Sequence, residues 1–183
     1  MTDVGTALIN PYKIFEKISL SPGMRVADLG CGRTGHFIFP AARVVGETGI
    51  IYAVDIMKDI LESIKSRVRS EGYDNIQTVW ANVESEGKIP IPENSLDVCF
   101  FVNVLFMIKD SVAALREVHR LLKENGFLVI VDWTKKLGLL GPGPGLAVNQ
   151  ENTVNQASQL GFNLLDRCEG GEYHFCLIFK KAS

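Results

Sequence analysis

The chain has 183 residues, 46% of them apolar and 22% charged, and its 19 basic and 21 acidic side chains leave a formal charge of −2. That length fits one domain with a substantial core, and two full domains would be cramped. With no basic excess to hold a nucleic-acid backbone, a sequence-independent DNA or RNA binder is excluded, and the composition excludes wholesale disorder.

The four cysteines stand at 31, 99, 168 and 176 without CxxC spacing. Cys99 and Cys176 fall in strand-like runs, where a thiol serves as a small apolar filler, and a chain of this size needs no disulfide framework. The most apolar stretch, 98–108, is about half the length of a membrane span and contains Asn103. The opening MTDVGTALIN lacks the basic start and apolar run of a signal peptide. The expectation is a protein of the reducing cytoplasm with no membrane or nucleic-acid partner.

In chain order, Asn10-Pro11-Tyr12 marks a helix start, with the first 22 residues read as an N-terminal helix or lid on a core over 23–181. A strand over 24–29 ends in a glycine-rich turn, and a helix over 36–45 follows, with Pro40 in its first turns and Gly46 closing it. A β-branched strand over 50–54 leads to Met57, Ile60, Leu61, Ile64 and Val68 at helical spacing. Strands follow over 76–80 and 96–101. Val112, Leu115, Val118, Leu121 and Leu122 then form the apolar face of a helix whose other face carries Arg116, Glu117, Arg120, Lys123 and Glu124. Asn125-Gly126 is expected to end that helix before a fifth strand over 127–131.

Near-continuous apolar strands separated by helices predict a parallel sheet covered on both faces. A helix over 150–160 precedes two strands, 162–168 and 173–180. Only Glu169-Gly170-Gly171-Glu172 separates them, too few residues for a crossover helix, so they form a hairpin and one strand runs antiparallel. The predicted fold is thus α/β, Rossmann-like and doubly wound, in a single domain. The linker GLLGPGPG, 138–145, reads as an active-site loop.

Gly30, Gly32 and Gly35 follow a strand and precede a helix, in VADLGCGRTGHF. Glycines there permit a tight turn and close approach of a ligand, and ligands of open α/β sheets lie at the carboxyl ends of the strands. Asp55 ends the second strand, placed to accept hydrogen bonds from both hydroxyls of a ribose. A nicotinamide dinucleotide and S-adenosyl-L-methionine (SAM) could both use this arrangement. Asp28, two residues before the first glycine, suits a cationic amino group and would repel a pyrophosphate.

These residues resemble a known family. VADLGCGRTGHF is similar to motif I of the class I SAM-dependent methyltransferases, and YAVDI to the acidic motif after their second strand. LDVCFFVNVLF resembles their fourth-strand motif, and LREVHRLLKENGFLVIVDW the following helix and strand of the small-molecule branch, as in ubiquinone/menaquinone methyltransferases. The resemblance implies a seven-stranded sheet with one antiparallel strand. It implies that Gly30, Cys31, Gly32 and Gly35 line the methionine part of SAM, with Asp28 near its amino group. Asp55 would bind the ribose, Ile56 would pack on the adenine, Asn82 and Val83 would border the adenine, and Asn103 would face the methionine end. The glycine loop is one residue longer than the usual GxGxG, which brings in Arg33 and Thr34, and Phe106 and Met107 stand where related enzymes often show histidines.

Methyl transfer is an in-line displacement for which orientation can supply most of the catalysis, so no catalytic residue is assigned. The absence of an NPPY-type tetrapeptide after the fourth strand points away from amino-methylation of DNA or glutamine. Phe106, Met107, Trp133 and Tyr12 are candidate walls for a small-molecule acceptor, with core packing as the other reading of Phe106 and Met107. His119 and His36 read as structural, and His174 as structural first and substrate-facing second. Glu84, Glu86 and Glu93 read as a solvated loop. No His/Cys grouping has metal-ligand spacing, so no metal is expected. The alternative function is a SAM-binding module without catalysis, and the oligomeric state is open.

Overall fold

The computed structural model describes residues 9–135, 137 and 139–183, without the Glu169 side chain. Residues 1–8 of the expected lid and Gly138 of the expected loop lie outside the described residues.

The elements are α1 (Pro11–Lys17), β1 (Arg25–Leu29), α2 (Ile38–Val45), β2 (Ile50–Asp55), α3 (Lys58–Glu71), β3 (Ile76–Trp80), β4 (Leu96–Val102), a short 3-10 turn (Leu105–Met107), α4 (Ser111–Leu121), β5 (Leu122–Trp133), α5 (Gln150–Gln159), β6 (Phe162–Gly171) and β7 (His174–Lys181). The seven strands form one sheet in the order β3-β2-β1-β4-β5-β7-β6. The pairs from β3 to β5 are parallel, and β7 is antiparallel to both β5 and β6. The predicted hairpin is therefore present, and it turns at Glu172-Tyr173, with β6 running on through Gly171 of the expected EGGE linker and β7 starting at His174.

Each face of the sheet has its own core. Val26, Ile51, Val98, Phe100 and Val129 pack with α1, α2 and α3, whereas Ala27, Leu29, Cys99, Phe101, Leu128 and Ile130 pack with α4 and α5. This is the strand alternation of period two, with both sets apolar because both faces are covered. On the first face Phe15 of α1 meets Phe37 at 5.8 Å and Phe100 at 5.7 Å between ring centroids, so α1 is fastened to the core by aromatic contacts. Side-chain caps start three helices: Asn10 accepts from Tyr12 N, Asp110 from Ala113 N and Asn149 from Asn152 N. Gly72 closes α3 in the left-handed conformation.

The structure corrects four expectations. Helix α4 stops at Leu121, and Asn125-Gly126 lies within a strand that begins at Leu122. The pairing slips between Leu96↔Leu122 and Val98↔Phe127, and the bulge is accommodated by Asn125 at φ 63°. Glu117, expected on the solvated face of α4, is fully buried. Its carboxylate accepts from Gly87 N at 2.5 Å and Ile89 N at 3.1 Å and pairs with Arg120 at 2.6 Å, so it fastens the 87–89 segment to α4. Glu84 is also not simply solvated: Oε1 accepts from Lys109 N at 2.8 Å and Asp110 N at 2.7 Å, joining the loop after β3 to the start of α4. Finally, the β6–β7 register places Cys168 opposite Cys176 with Cα atoms 4.9 Å apart, and the two are joined as a disulfide, while Cys99 is a buried thiol. Spacing along the chain carries no information on which residues face each other across a hairpin with bulges.

Glu117→Ala should destabilise the fold by about 3 kcal/mol in urea denaturation, because two backbone N–H groups and the Arg120 guanidinium lose their acceptor together. A loss under about 1 kcal/mol would show that water replaces the carboxylate without penalty.

Candidate functional site

The carboxyl ends of β1, β2, β3 and β4 lie side by side, and the sheet reverses its order of growth at the β1–β4 pair. The glycine loop leaves β1 there and folds back over β2, with Gly30 N and Cys31 N both donating to Val54 O at 2.8 and 3.1 Å. Gly30 has φ +80°, and a Cβ on it would stand 2.4 Å from Val104 Cγ2 on the segment after β4, so only glycine lets the two strand ends approach this closely. Gly35 has φ +57°, and a Cβ there would press into Phe39 and Ile64.

Asp55 is 6% exposed and is held by the loop it serves: one oxygen accepts from Met57 N at 2.9 Å and the other from Gly32 N at 3.3 Å. Burial raises its pKa, and backbone hydrogen bonds from Met57 and Gly32 oppose that rise. Ile56, next in sequence, is 59% exposed, an apolar side chain presented to solvent at the strand end. Asn82 and Val83, after β3, are half-buried, and Asn82 Oδ1 accepts from Glu84 N at 2.9 Å, which sets the turn. Asp28 is buried on β1. Arg33 and Thr34, the candidates for extra contacts in the longer loop, turn outward instead. Arg33 pairs with Asp59 and Ser63 on α3, and Thr34 O accepts from Arg67 at 2.9 Å.

Asn103 follows β4 in the left-handed region, φ 57°, with its N–H donating to Val131 O at 2.8 Å. Its Oδ1 is buried and has no hydrogen-bond partner among the described residues. The 3-10 turn after it leaves Phe106 half-buried and Met107 62% exposed, which rules out a core role for Met107. Tyr12 is exposed on α1, edge-on to Phe15 at 5.9 Å. Trp133 is buried rather than lining open space, and it stacks on His174 with centroids 4.3 Å apart. His36 Nε2 lies 2.7 Å from Ile9 O and so ties the segment before α1 to the glycine loop's helix. His119 packs edge-on to Phe162, a structural contact as expected.

In the sequence, Asp132 is an acid inside the apolar run FLVIVDW with no motif that marks a role. It is fully buried, accepts from Trp133 N at 2.8 Å and Phe106 N at 3.3 Å, and thereby fixes the turn after β4 to the end of β5. Burial pushes its pKa up to about 6. A broad surface depression lined by Asn94, His119, Lys123, Gly161 and Lys181 lies at the opposite edge of the sheet. Its buried ammonium, Lys181 Nζ, is occupied by Asn94 Oδ1, His119 O and Leu122 O, all within 2.9 Å, so that depression is structural.

A mostly parallel seven-stranded sheet with an antiparallel β7, a glycine loop after β1 and an acid after β2 define a nucleoside-cofactor domain of the methyltransferase type. Residues 20–170 match the family described as Methyltransferase domain. The chain is 34% identical over 115 residues to the ubiquinone/menaquinone biosynthesis C-methyltransferase UbiE of Shewanella sp. (strain ANA-3), a match covering 62% of this chain and 44% of that protein. The chain thus spans less than half the length of the curated relatives it matches. The crystal structure of a SAM dependent methyltransferase from Aquifex aeolicus superposes with a TM-score of 0.84 at 26% identity, covering 94% of this chain and 90% of that one. The [4+2]-cyclase SpnF shares the fold, with a TM-score of 0.79 at 17% identity over 94% of this chain and 80% of that one. The chain belongs to the methyltransferase domain family, as a member of the class I SAM-dependent methyltransferases.

The two buried titratable groups at the end of β5 act oppositely on stability. Asp132 keeps a proton in the folded state up to about pH 6 that the unfolded chain gives up near its ordinary 3.8, so its contribution falls as pH rises through that window. His174, pushed down to about 4 from 6.5 by burial, makes stability rise over an overlapping window. Asp132→Asn removes only the first effect. Between pH 4 and pH 6.5 the variant should gain about 2 kcal/mol relative to wild type in urea denaturation. Any constant cost of the amide cancels in that difference, and parallel pH profiles would show that Asp132 ionises in the folded state without penalty.

Proposed function

We propose that this protein binds SAM across the carboxyl ends of β1 to β4 and transfers its methyl group to a small-molecule acceptor held beside the ends of β4 and β5. The observation that carries this reading is Asp55. It is a buried carboxylate held by the N–H groups of Gly32 and Met57, beside a loop whose Gly30 and Gly35 have positive φ and no room for a Cβ. Bound SAM supplies an electrophilic methyl carbon on a sulfonium, a centre that already carries a good leaving group.

In this reading Asp55 accepts the ribose hydroxyls. Ile56 and Val83 offer apolar surface to the adenine, and Asn82 accepts from its amino group with its remaining lone pair. Asp28 neutralises the methionine ammonium, and the unpartnered Oδ1 of Asn103 receives a donor from the same end. Gly30, Cys31, Gly32 and Gly35 present backbone to the methionine chain. Two carboxylates, Asp28 and Asp55, border the loop and oppose a pyrophosphate, which disfavours a dinucleotide.

Phe106, Met107 and Tyr12 wall the acceptor, with the buried Trp133 supporting His174, and the near-neutral chain favours a small acceptor over nucleic acid. Catalysis then rests on holding the nucleophile in line, which can supply effective molarities of about 10⁵ to 10⁸ M. Both Asp132 oxygens are taken by backbone N–H groups, so that carboxylate shapes the pocket and is not assigned as a base. The name of the UbiE relative, a C-methyltransferase of quinone biosynthesis, makes phenol and hydroquinone rings, whose carbons are nucleophilic and lose a proton on methylation, the first acceptors to test. We place the whole chain in one domain of the cytoplasm.

Calorimetry should show S-adenosylhomocysteine binding to the wild type, weakened about 100-fold or more by Asp55→Ala, since two hydrogen bonds to a charged group are lost. Absence of binding at millimolar ligand would sink the proposal. Transfer of label from SAM to a member of an acceptor panel separates an enzyme from a binding module without turnover.

A further inference from the structure

His174 opens β7 directly opposite Trp133 at the end of β5. Because β7 runs antiparallel, its first residue meets the carboxyl edge of the parallel strands, the edge at which β4 delivers Asn103. Strand alternation sends both rings to the face that holds Val131 and Cys176, the face covered by α1 and α2. The rings stack at 4.3 Å with planes tilted by 39°, so the indole fixes the plane of the imidazole.

The imidazole is 3% exposed, and neither Nδ1 nor Nε2 has a hydrogen-bond partner among the described residues. Nearby charges do not complete it. Asp132 points to the opposite face and is satisfied by backbone, and Glu172 is exposed and paired with Lys135 at 3.3 Å. Burial holds the ring neutral, so it carries one N–H donor and one bare acceptor. An apolar ring would fill this position without the penalty of two unpaired polar atoms. One strand end away, Asn103 Oδ1 is orphaned in the same manner. The buried, unpartnered imidazole and the buried, unpartnered Oδ1 of Asn103 thus stand on either side of the end of β5, where the proposed function places the acceptor.

We infer that His174 is an acceptor-binding residue that hydrogen-bonds a hydroxyl group on the methyl acceptor, with Trp133 holding the imidazole in plane. A hydroxyl both donates and accepts, so it satisfies either ring nitrogen in either tautomer. The inference rests on the small-molecule reading above and adds to it the group that the acceptor must carry.

The test uses the full chain saturated with S-adenosylhomocysteine, catechol as probe, and veratrole as the same ring without O–H groups. Wild type should bind catechol at least tenfold more tightly than veratrole. H174F should abolish that preference, leave the S-adenosylhomocysteine Kd within twofold, and raise the Tm of the unliganded protein by about 2 to 4 °C as the orphaned nitrogens are removed. H174Q, which keeps a donor and an acceptor, should retain part of the preference. Equal binding of the two probes by wild type, no binding of either, or an undiminished preference in H174F overturns the assignment. If H174F does not fold, the ring ¹⁵N shifts of wild-type His174 decide: movement with catechol and not with veratrole supports it, and no movement overturns it. Methylation of an amine or thiol acceptor without catechol binding would refute the role of His174 and leave the proposed function standing. Transfer to no acceptor at all would count against the proposed function itself.

Discussion

β1 and β4 lie side by side at the centre of the sheet, yet the connections that leave their carboxyl ends pack on opposite faces. The chain from β1 enters α2, in the core with α1 and α3, and the chain from β4 enters α4, in the core with α5. Neither connection can cover the gap between the two strand ends, because each is drawn to its own apolar face. That divergence leaves a crevice at the carboxyl ends of β1 and β4, and the absence of a side chain on Gly30 lets Val104 approach closely there. The fold therefore makes the site as a consequence of burying both faces of a parallel sheet.

The buried polar groups divide into two sets. Glu117, Lys181 and Asp132 each have hydrogen-bond partners within the chain, and each joins separate segments: the 87–89 segment to α4, β7 to the end of α4, and the turn after β4 to β5. Their cost of burial is offset by hydrogen bonds made within the chain, so they act as fasteners. Asn103 Oδ1 and both nitrogens of His174 have no such return among the described residues. They sit at the carboxyl edge, where a ligand can supply what the chain does not. Asp55 shares features of both sets: its two oxygens accept from Met57 N and Gly32 N, and it stands at the same carboxyl edge.

The likeness to SpnF, a [4+2]-cyclase, shows how little the sheet alone says about chemistry. In this chain the specific information lies in a few side chains. Asp55 and the glycine loop bear on the cofactor, and the Trp133–His174 stack, Phe106 and Met107 bear on the acceptor. The first group is held by backbone hydrogen bonds within one strand-turn-helix unit. The second is assembled from β5, β7 and the turn after β4, which are distant in sequence.

That difference explains what could be read in advance. Strand periodicity, the short EGGE link and the VADLGCGRTGHF run are local signals, and local physics is enough for them. A run of four residues cannot hold a crossover helix, and a glycine-rich turn between strand and helix has few conformations. The sheet, the antiparallel hairpin and the glycine turn between strand and helix were therefore legible in the sequence, as was the placement of Asp55 and Asn103 at the carboxyl ends of β2 and β4. Burial of Glu117, the bulge at Asn125, the facing of Cys168 and Cys176, the anchoring of Glu84 and the stack of Trp133 on His174 were not. Each depends on which strand lies beside which and in what register, and register is set by the packing of the whole sheet. The amino-acid sequence by itself determined a nucleoside-binding α/β domain and its cofactor loop, because those features close within about thirty residues. Only the tertiary structure decided which polar side chains were left without partners, because a hydrogen bond between distant segments exists only once both have been brought to the same edge.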